Sequence, residues 1–320
     1  MCHWRKAKIA IWSLESQYTD KIKLQTTMPC THKKNITQSI PAIRPKGEDA
    51  TMRIIEKFLA SKTNDMAHCE DGIYIGQHYI AVIDGVTTKG KLLWNGKTSG
   101  YYAKEIIMHA LDDLEGKESL EDVFQYINSV LRKSYENTDF FEKNPEERLQ
   151  ATIVIYSIHK AQIWRYGDCQ YMVNDKAYTY EMKIDTLLSE LRSVFLRLEM
   201  LRGVPISELS EHDPSQDILF PILKRQFLFS NKDCDYGFPV LDGFCQDFSF
   251  IETTDVPPDS VVILATDGYP KIHNSLAESE KYLCDLKQDD PLCITLYKST
   301  RGFTNGKSSL DDRAYIKFQT

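Results

Sequence analysis

Acidic residues recur in this sequence where a predicted hydrophobic strand meets a loop. These positions are Glu70-Asp71, Asp84, Asp168, Asp267 and Asp311-Asp312. Glycine directly follows Asp84 and Asp267, and a lone Asp-Gly step is usually only a turn. Five acidic strand ends are harder to explain as turns, because a rigid sheet can aim side chains from its strand ends into one cleft. The pattern therefore predicts that several carboxylates converge in space.

Convergent carboxylates limit the chemistry that such a cleft can perform. Two carboxylates held ~5 Å apart repel by roughly 3 kcal/mol at an effective dielectric near 20. A fold that gathers four or five of them must bind cations or protonate some of the acids. Ligand sets made only of oxygen favour hard divalent ions, Mg²⁺ or Mn²⁺, over zinc. A glycine after the aspartate also fits, because without a Cβ its backbone carbonyl can approach an ion.

The sequence offers no obvious protein nucleophile. None of its eight cysteines has arginine six positions later, the spacing of cysteine phosphatases, and neither G-x-S-x-G nor H-E-x-x-H occurs. The cysteines also form no C-x-x-C pair. A zinc site or a disulfide scaffold is therefore not predicted, and reduced, mostly buried thiols are expected.

The order and spacing of several short motifs across residues 52–320 resemble a known family. It is the metal-dependent protein Ser/Thr phosphatases of the protein phosphatase 2C type, and the departures described below place the chain near divergent bacterial members. The motifs are Cys69-Glu70-Asp71-Gly72, Ala81-Val82-Ile83-Asp84-Gly85, Ala151-Thr152 with Gly167-Asp168-Cys169, Leu264-Ala265-Thr266-Asp267-Gly268, and Ser309-Leu310-Asp311-Asp312.

This resemblance implies an α+β fold, a four-layer α-β-β-α sandwich with two central, mainly antiparallel sheets. It implies two Mn²⁺ or Mg²⁺ ions at one end, with a third ion as an option. Asp84 would bridge the two ions and the Gly85 carbonyl would ligate one of them. Asp267 and Asp311 would complete one ion, although the adjacent Asp312 keeps that assignment open. Two further acids would have weaker roles, Glu70 through waters and Asp168 at the third site.

The implied reaction is phosphomonoester hydrolysis, most simply of phosphoserine or phosphothreonine in a phosphorylated protein. A hydroxide shared by two ions would attack phosphorus in line, so Asp84 and Asp267 would act in catalysis through that hydroxide. No protein nucleophile is required by this mechanism.

The chain also departs from the family pattern. Met66 stands where many members have a phosphate-binding arginine, and Lys62 is the candidate replacement. Val86 stands where eukaryotic members have histidine, a proposed general acid, and Lys271 replaces a common third-metal aspartate. His68 could supply the proton, although a solvent-exposed bystander is the simpler interpretation of that residue.

Three alternatives stay open at this point. One is a catalytically weak phosphatase-like domain that binds a partner or senses metal, and another is a small-molecule phosphatase. The third is nucleotide hydrolysis, because Gly90–Thr98 follows a strand and precedes a helix as a Walker A loop does. It has five residues between its glycines rather than four, which breaks the register of inward-pointing N–H groups.

Hydrophobic periodicity places these motifs on alternating blocks of elements. The predicted strands are 52–58, 73–76, 79–83, 151–158, 162–166, 171–173, 248–252, 261–266 and 314–318. The predicted helices are 99–115, 120–136, 184–201, 218–229 and 275–287. Strands in two blocks with helices between them favour an α+β or layered fold over repeated βαβ units.

The chain is predicted to have one domain behind an N-terminal extension. Residues 1–51 carry nine Lys and Arg against four Asp and Glu, show no sustained period, and are expected to be poorly ordered. Met52 is a candidate natural start, and deleting 1–51 should leave the melting temperature and activity nearly unchanged. Residues 52–320 form the predicted domain, with a helical flap at about 176–246. The Leu/Phe stripe of the flap favours core packing, and its charged outer faces are a candidate surface for a protein substrate.

Composition excludes several broad classes of function. Residues 52–320 carry a formal charge of −12, which leaves no basic stripe for nucleic acid. No apolar run approaches the roughly 18 residues of a membrane span, and no secretory leader is evident. A cytoplasmic enzyme without membrane or nucleic-acid partners is expected, and its oligomeric state is left open.

Overall fold

Two five-stranded antiparallel sheets form the centre of the protein. The structure, a computed structural model, describes residues 52–87 and 89–320. The predicted N-terminal extension, residues 1–51, lies outside the described residues. The strands are β1 (Arg53–Ala60), β2 (Asp71–Ile75), β3 (Tyr79–Gly85), β4 (Ala151–Ser157), β5 (Gln162–Tyr166), β6 (Gln170–Val173), β7 (Lys176–Tyr178), β8 (Glu252–Asp255), β9 (Val261–Ala265) and β10 (Arg313–Gln319).

The first sheet has the strand order β1-β10-β9-β6-β7, and the second has the order β2-β3-β4-β5-β8. The helices are α1 (Ser99–Asp112), α2 (Leu120–Lys133), α3 (Thr138–Lys143), α4 (Lys183–Leu201), α5 (Ile206–Glu211), α6 (Gln216–Arg225) and α7 (Leu276–Asp289). Short 3-10 turns lie at Met66–His68, Pro145–Glu147 and Gln226–Phe229.

The hydrophobic clusters show four layers. Side chains of both sheets, such as Val82 and Leu264, meet in a shared core between them. The opposite face of the second sheet packs on α1 and α2, through residues that include Ile107 and Phe124. The outer face of the first sheet packs against the start of α7 at Leu276. The predicted four-layer α-β-β-α sandwich is therefore confirmed.

Local sequence explains the elements that flank the site. Strand β3 is buried at every position except Asp84, as its nearly unbroken apolar run requires of a central strand. Helix α1 begins where the Thr98 side chain accepts a hydrogen bond from the Tyr101 N–H. Helix α2 begins with a reciprocal capping box between Ser119 and Asp122. These starts fix where the loops near the strand ends must turn.

One predicted strand was misplaced. The apolar run 248–252 predicted a strand, but the strand in this region is β8, Glu252–Asp255. Phe248, Phe250 and Ile251 instead pack against the cluster that covers the second sheet. The apolar run therefore encodes a surface contact, whereas the polar β8 pairs only at the sheet edge with β5. The short elements β7, α3 and α5 were not predicted, because they lack a full period.

Helix α4 carries two apolar stripes rather than one. Its inward side buries Ile184, Leu188 and Leu196. Its outer side is 43–73% exposed at five positions spaced by four and three residues, namely Leu187, Leu191, Val194, Leu198 and Leu201. The expectation of core packing therefore holds for the inner stripe only, and the outer face is apolar where a charged face was predicted.

No helix in residues 52–87 and 89–320 is long and apolar enough to cross a membrane.

Candidate active site

Acidic side chains from both sheets line one cavity at an end of the sandwich. Its volume is about 210 Å³. We call it the acidic cavity, and its carboxylates are Asp84, Asp168, Asp185, Asp267 and Asp311. Four of these five were predicted from strand ends, so the predicted convergence of acids is observed.

The second sheet supplies Asp84 and Asp168 through its register. Asp84 near the end of β3 lies directly opposite Asp71 on β2 and Thr152 on β4. The Thr152 hydroxyl donates a 2.8 Å hydrogen bond to Asp168, which follows β5. Gly167 between β5 and Asp168 has φ +107°, and a Cβ there would collide with the Thr152 side chain. Backbone freedom at this glycine thus lets Asp168 reach the same end of the sheet as Asp84.

The first sheet supplies Asp267 and Asp311. Asp267 lies just after β9 and Asp311 just before β10, which are neighbouring antiparallel strands. Asp267 and Asp311 line the same cavity as Asp84 of the other sheet. Residues nearly 200 positions apart therefore meet because the two sheets stack with these strand ends together.

Burial dominates the electrostatics of the acids. It raises the pKa values of Asp71, Asp84 and Asp168 above the usual carboxyl value. Burial, with repulsion from Asp168 and Asp311, raises the pKa of Asp267 to about 7. These groups resist ionisation without an added positive charge, as a cation-binding cluster should.

Asp311 behaves differently from the other acids. Burial alone would raise its pKa, but Arg301 and Lys62 hold the pKa at about 2. Both cations touch its carboxylate, Lys62 Nζ at 2.7 Å from Oδ1 and Arg301 Nη2 at 2.7 Å from Oδ2. Asp311 is therefore the most firmly ionised carboxylate of the cavity.

The adjacent Asp312 has a different role. It is 1% exposed, and its carboxylate accepts hydrogen bonds from the backbone N–H groups of Glu70 at 2.7 Å and Lys62 at 2.8 Å. It is thus used to join β10 to the segment before β2. Of these two adjacent aspartates, Asp311 lines the acidic cavity and Asp312 does not.

Glu70 lies buried beside the cavity. Its Oε2 accepts a hydrogen bond from the Thr87 hydroxyl and lies 3.7 Å from Lys62 Nζ. Its Oε1 is buried with no hydrogen-bond partner among the described residues. Gly85 lines the cavity, and a Cβ on it would lie 2.7 Å from the Glu70 carbonyl oxygen, so only glycine fits this approach.

His68 is not brought to the acidic cavity. Its side chain is 70% exposed, and its Nδ1 lies 2.8 Å from Asp65 at the surface. The 3-10 turn Met66–His68 holds it on the outside of the segment before β2. His68 is therefore a solvent-exposed side chain outside the cavity, which is the simpler of the two interpretations given from the sequence.

Three charged residues of the cavity wall were not predicted from the sequence. Asp185 lies in the first turn of α4. In the sequence it cannot be distinguished from any other polar position of an amphipathic helix. Lys89 and Arg301 lie in loops with no motif of their own. Only the folded chain brings them to the aspartates, so no local signal could have found them.

In the Walker-like loop, Gly90–Thr98, backbone N–H groups bind a carboxylate of the protein itself. The backbone N–H groups of Lys91 and Leu92 donate to Glu147 Oε2 at 2.9 and 3.1 Å. A phosphate cradle needs these donors free to face a nucleotide. The nucleotide-hydrolysis alternative thus has no support from this geometry.

The donor set fits hard divalent cations. The candidate ligand atoms are all oxygen, and Glu70 Oε1 is a buried acceptor with no donor among the described residues. No group of three or more His, Cys, Asp or Glu side chains within 52–87 and 89–320 is arranged as a finished metal site. Asp84 and Asp267 line the cavity together, and Asp311 contacts Lys62 and Arg301.

No family model matches the chain, and no curated protein matches it. Among solved structures, it is similar to the Mycobacterium tuberculosis serine/threonine phosphatase PstP/Ppp, at 14% identity and a TM-score of 0.44 over 84% of this chain and 98% of that one. The S. agalactiae serine/threonine phosphatase gives 11% identity and a TM-score of 0.43 over 83% and 98%. RsbX in complex with magnesium gives 12% and 0.39 over 84% and 94%. Scores this low leave the activity to be inferred from the cavity of this chain itself.

Proposed function

We propose that this protein is a metal-dependent phosphomonoester hydrolase, acting most simply on phosphoserine or phosphothreonine in proteins. One observation carries the proposal. Carboxylates from both sheets converge on a cavity that also holds two cationic side chains, Lys89 and Arg301. Oxygen donors for hard cations and N–H donors for an anion are the two parts that phosphoryl transfer requires.

Five residues would hold two Mn²⁺ or Mg²⁺ ions. They are Asp84, the Gly85 carbonyl, Asp267, Asp311 and Glu70, with Asp168 available to a third ion. Bound divalent ions would supply the nucleophile, because they lower the pKa of water toward neutrality. Asp84 ends a central strand of the second sheet and lines the cavity with Asp267 and Asp311 of the first sheet, which makes it the central ligand in this proposal.

Neighbouring side chains keep the carboxylates oriented. Thr152 fixes Asp168 by a 2.8 Å hydrogen bond, and Asp312 anchors the Glu70 backbone at 2.7 Å. Thr266 donates a 2.6 Å hydrogen bond to Asp71, which lies behind Asp84. Fixed orientation matters because donor positions must not reorganise during the reaction.

A second candidate, a catalytically weak phosphatase-like domain that senses metal or binds a partner, draws on one specific observation. Lys62 and Arg301 both pair with Asp311, so two built-in cations compete with a metal for that carboxylate. Such competition would lower metal affinity without removing the ligand.

A Mn²⁺ titration with phosphopeptide turnover tests the proposal. The wild-type protein should hydrolyse the phosphopeptide only when Mn²⁺ is present. The hydrolysis rate of Asp84→Asn should be at least ~100-fold lower, as expected when a central charge-stabilising group is removed. The matched control is Asp175→Asn, an exposed turn residue between β6 and β7, which should behave as wild type. Mn²⁺ binding by calorimetry without turnover would favour the weak-domain alternative, and full turnover by Asp84→Asn would contradict the proposal.

A further inference from the structure

Arg301 reaches the acidic cavity from a loop with an unusually well-fixed backbone. We call residues 290–301 the arginine loop. At its start the Asp290 carboxylate accepts hydrogen bonds from the backbone N–H groups of Ile294, Thr295 and Leu296, at 3.1, 2.8 and 2.7 Å. One side chain thus closes the loop on itself, which reduces the freedom of the residues that follow.

The flap holds the rest of the arginine loop. Arg192 of α4 is 1% exposed, and its Nη1 donates to the carbonyls of Leu292 at 2.6 Å and Ser299 at 3.1 Å. Gln216 at the start of α6 donates from Nε2 to the Thr300 carbonyl at 2.9 Å. The backbone next to Arg301 is therefore set by two flap helices.

The guanidinium of Arg301 has donors to spare. Within the described residues, the guanidinium makes one ion pair, from Nη2 to Asp311 Oδ2 at 2.7 Å, and no other side-chain hydrogen bond. An arginine carries five N–H donors in a planar fork, so most of them remain available toward the cavity. The side chain is 45% exposed, which leaves it accessible to a ligand entering the cavity.

Lys89 is a second cation in the cavity wall. It makes no ion pair and no side-chain hydrogen bond within residues 52–87 and 89–320, yet it lines the same cavity. Burial, and then the like charge of Arg301, lowers its pKa. A half-buried lysine next to an arginine, with no carboxylate of its own, is an arrangement that an incoming anion would stabilise.

We propose that Arg301 and Lys89 form the receptor for the phosphate group of the substrate, an inference that rests on the proposed phosphohydrolase function. Arg301 can bind two phosphate oxygens through its fork, and Lys89 adds a point charge. Lys62, the candidate from the sequence, is less suited, because its ammonium is already shared between Asp311 at 2.7 Å and Glu70 at 3.7 Å. The phosphate receptor therefore comes from the C-terminal part of the chain and is anchored to the flap.

Inorganic phosphate is the probe for this receptor. Its inhibition constant against p-nitrophenyl phosphate hydrolysis, at saturating Mn²⁺, should rise about 10- to 100-fold in Arg301→Ala, because a charge-assisted bidentate contact is lost. Lys89→Ala should raise it by a smaller factor, and Arg301→Lys should give an intermediate value because lysine lacks the fork. Arg202→Ala, an exposed arginine of the flap paired with Glu199, is the matched control and should leave the constant unchanged.

Separate measurements distinguish the possible failures. If both Arg301→Ala and Lys89→Ala leave the phosphate constant unchanged in an active enzyme, the receptor is wrong. If Arg301→Ala shifts only the Mn²⁺ dependence, Arg301 serves Asp311 and the receptor is again wrong. A wild type without Mn²⁺-dependent turnover would contradict the proposed function instead. Calorimetric phosphate binding with Mn²⁺ that is lost in Arg301→Ala would then still support the receptor.

Discussion

Asp71 shows how a buried carboxyl can be kept in place behind a site. It is 3% exposed and lies opposite Asp84, and burial raises its pKa. The Thr266 hydroxyl both donates to Asp71 at 2.6 Å and accepts from the Ala314 N–H at 2.9 Å. This one hydroxyl therefore links the two sheets at the level of the acids.

Replacing Thr266 with valine should be costly for that reason. Thr266→Val removes both hydrogen bonds and leaves the Asp71 carboxyl buried without its donor, which should lower the free energy of unfolding by about 1–3 kcal/mol. Thr266→Ser keeps the hydroxyl, so its free energy of unfolding should fall much less. Urea denaturation of the three proteins measures this, and equal losses in the two variants would assign the effect to packing rather than to the hydroxyl.

Asp185 is the contrasting case, a half-buried carboxyl with an unpartnered oxygen. Its Oδ1 is buried without a hydrogen-bond partner among the described residues. Burial, then repulsion from Asp168, raises its pKa from 3.8 to about 6, against the opposing attraction of Arg301 and Lys89. Because the folded pKa is raised, the folded state binds this proton more tightly than the unfolded state does. Stability from this group is lost as pH rises from about 4 through 6.

Asp185→Asn should remove that loss. In chelator, the variant should match wild type at pH 4 and exceed it by about 1–2 kcal/mol at pH 7.5, taking 1.36 kcal/mol per unit and discounting for partial exposure. Urea denaturation at the two pH values measures the difference. Asp175→Asn should show no such pH dependence, and a constant offset for Asp185→Asn would mean that the pKa of Asp185 is not raised.

At the scale of elements, strand ends position the acids, and helix α4 holds the arginine loop beside them. The inner residues Leu188 and Leu196 are 2% and 0% exposed, whereas Leu191 and Leu198 on the outer side are 43% and 54% exposed. One helix therefore joins a buried contact with the arginine loop to a solvent-facing apolar stripe. Amphipathic spacing alone could not distinguish the two stripes, because both step by three and four.

The two stripes of α4 should respond differently to truncation. Leu188→Ala or Leu196→Ala should lower the free energy of unfolding by about 2–4 kcal/mol, because each leaves a cavity in packed surroundings. Leu191→Ala and Leu198→Ala should stay within about 0.5 kcal/mol of wild type. Thermal or urea denaturation measures both pairs, and a large loss from the outer pair would show that its stripe is covered in solution.

At the scale of the described part of the molecule, net charge bears directly on the proposed metal binding. Residues 52–320 carry a formal charge of −12, and five of their carboxylates share one cavity. Ions that bind only the folded chain must stabilise it by mass action. The same ions would offset the burial and the repulsion that raise the pKa values of Asp84, Asp168 and Asp267.

Chelation should therefore lower the melting temperature. At 100 times the dissociation constant, bound Mn²⁺ adds about 2.7 kcal/mol, a shift of roughly 5–10 °C for a domain of this size. Asp84→Asn should show a smaller shift between Mn²⁺ and chelator than wild type does. Melting that is the same in Mn²⁺ and in excess chelator would argue against a preorganised site, whatever the activity.

The sequence by itself determined the alternation of strands and helices and the acids at strand ends. An unbroken apolar run such as β3 must be buried on both faces. Asp84 must then lie where the strand leaves the core, at the end of the sheet. These features depend on neighbours within a few residues, so local periodicity carries them. The misplaced strand at 248–252 shows the limit, because an apolar run can equally pack as a loop against a neighbouring layer.

Only the tertiary structure decided which charged groups face one another. Asp311 meets Arg301 and Lys62, Asp312 turns to the Glu70 backbone, and His68 stays outside. Such pairs join residues up to about 250 positions apart through the stacking of two sheets and the docking of the flap. No local pattern encodes that stacking, because it follows from the summed burial of the whole core.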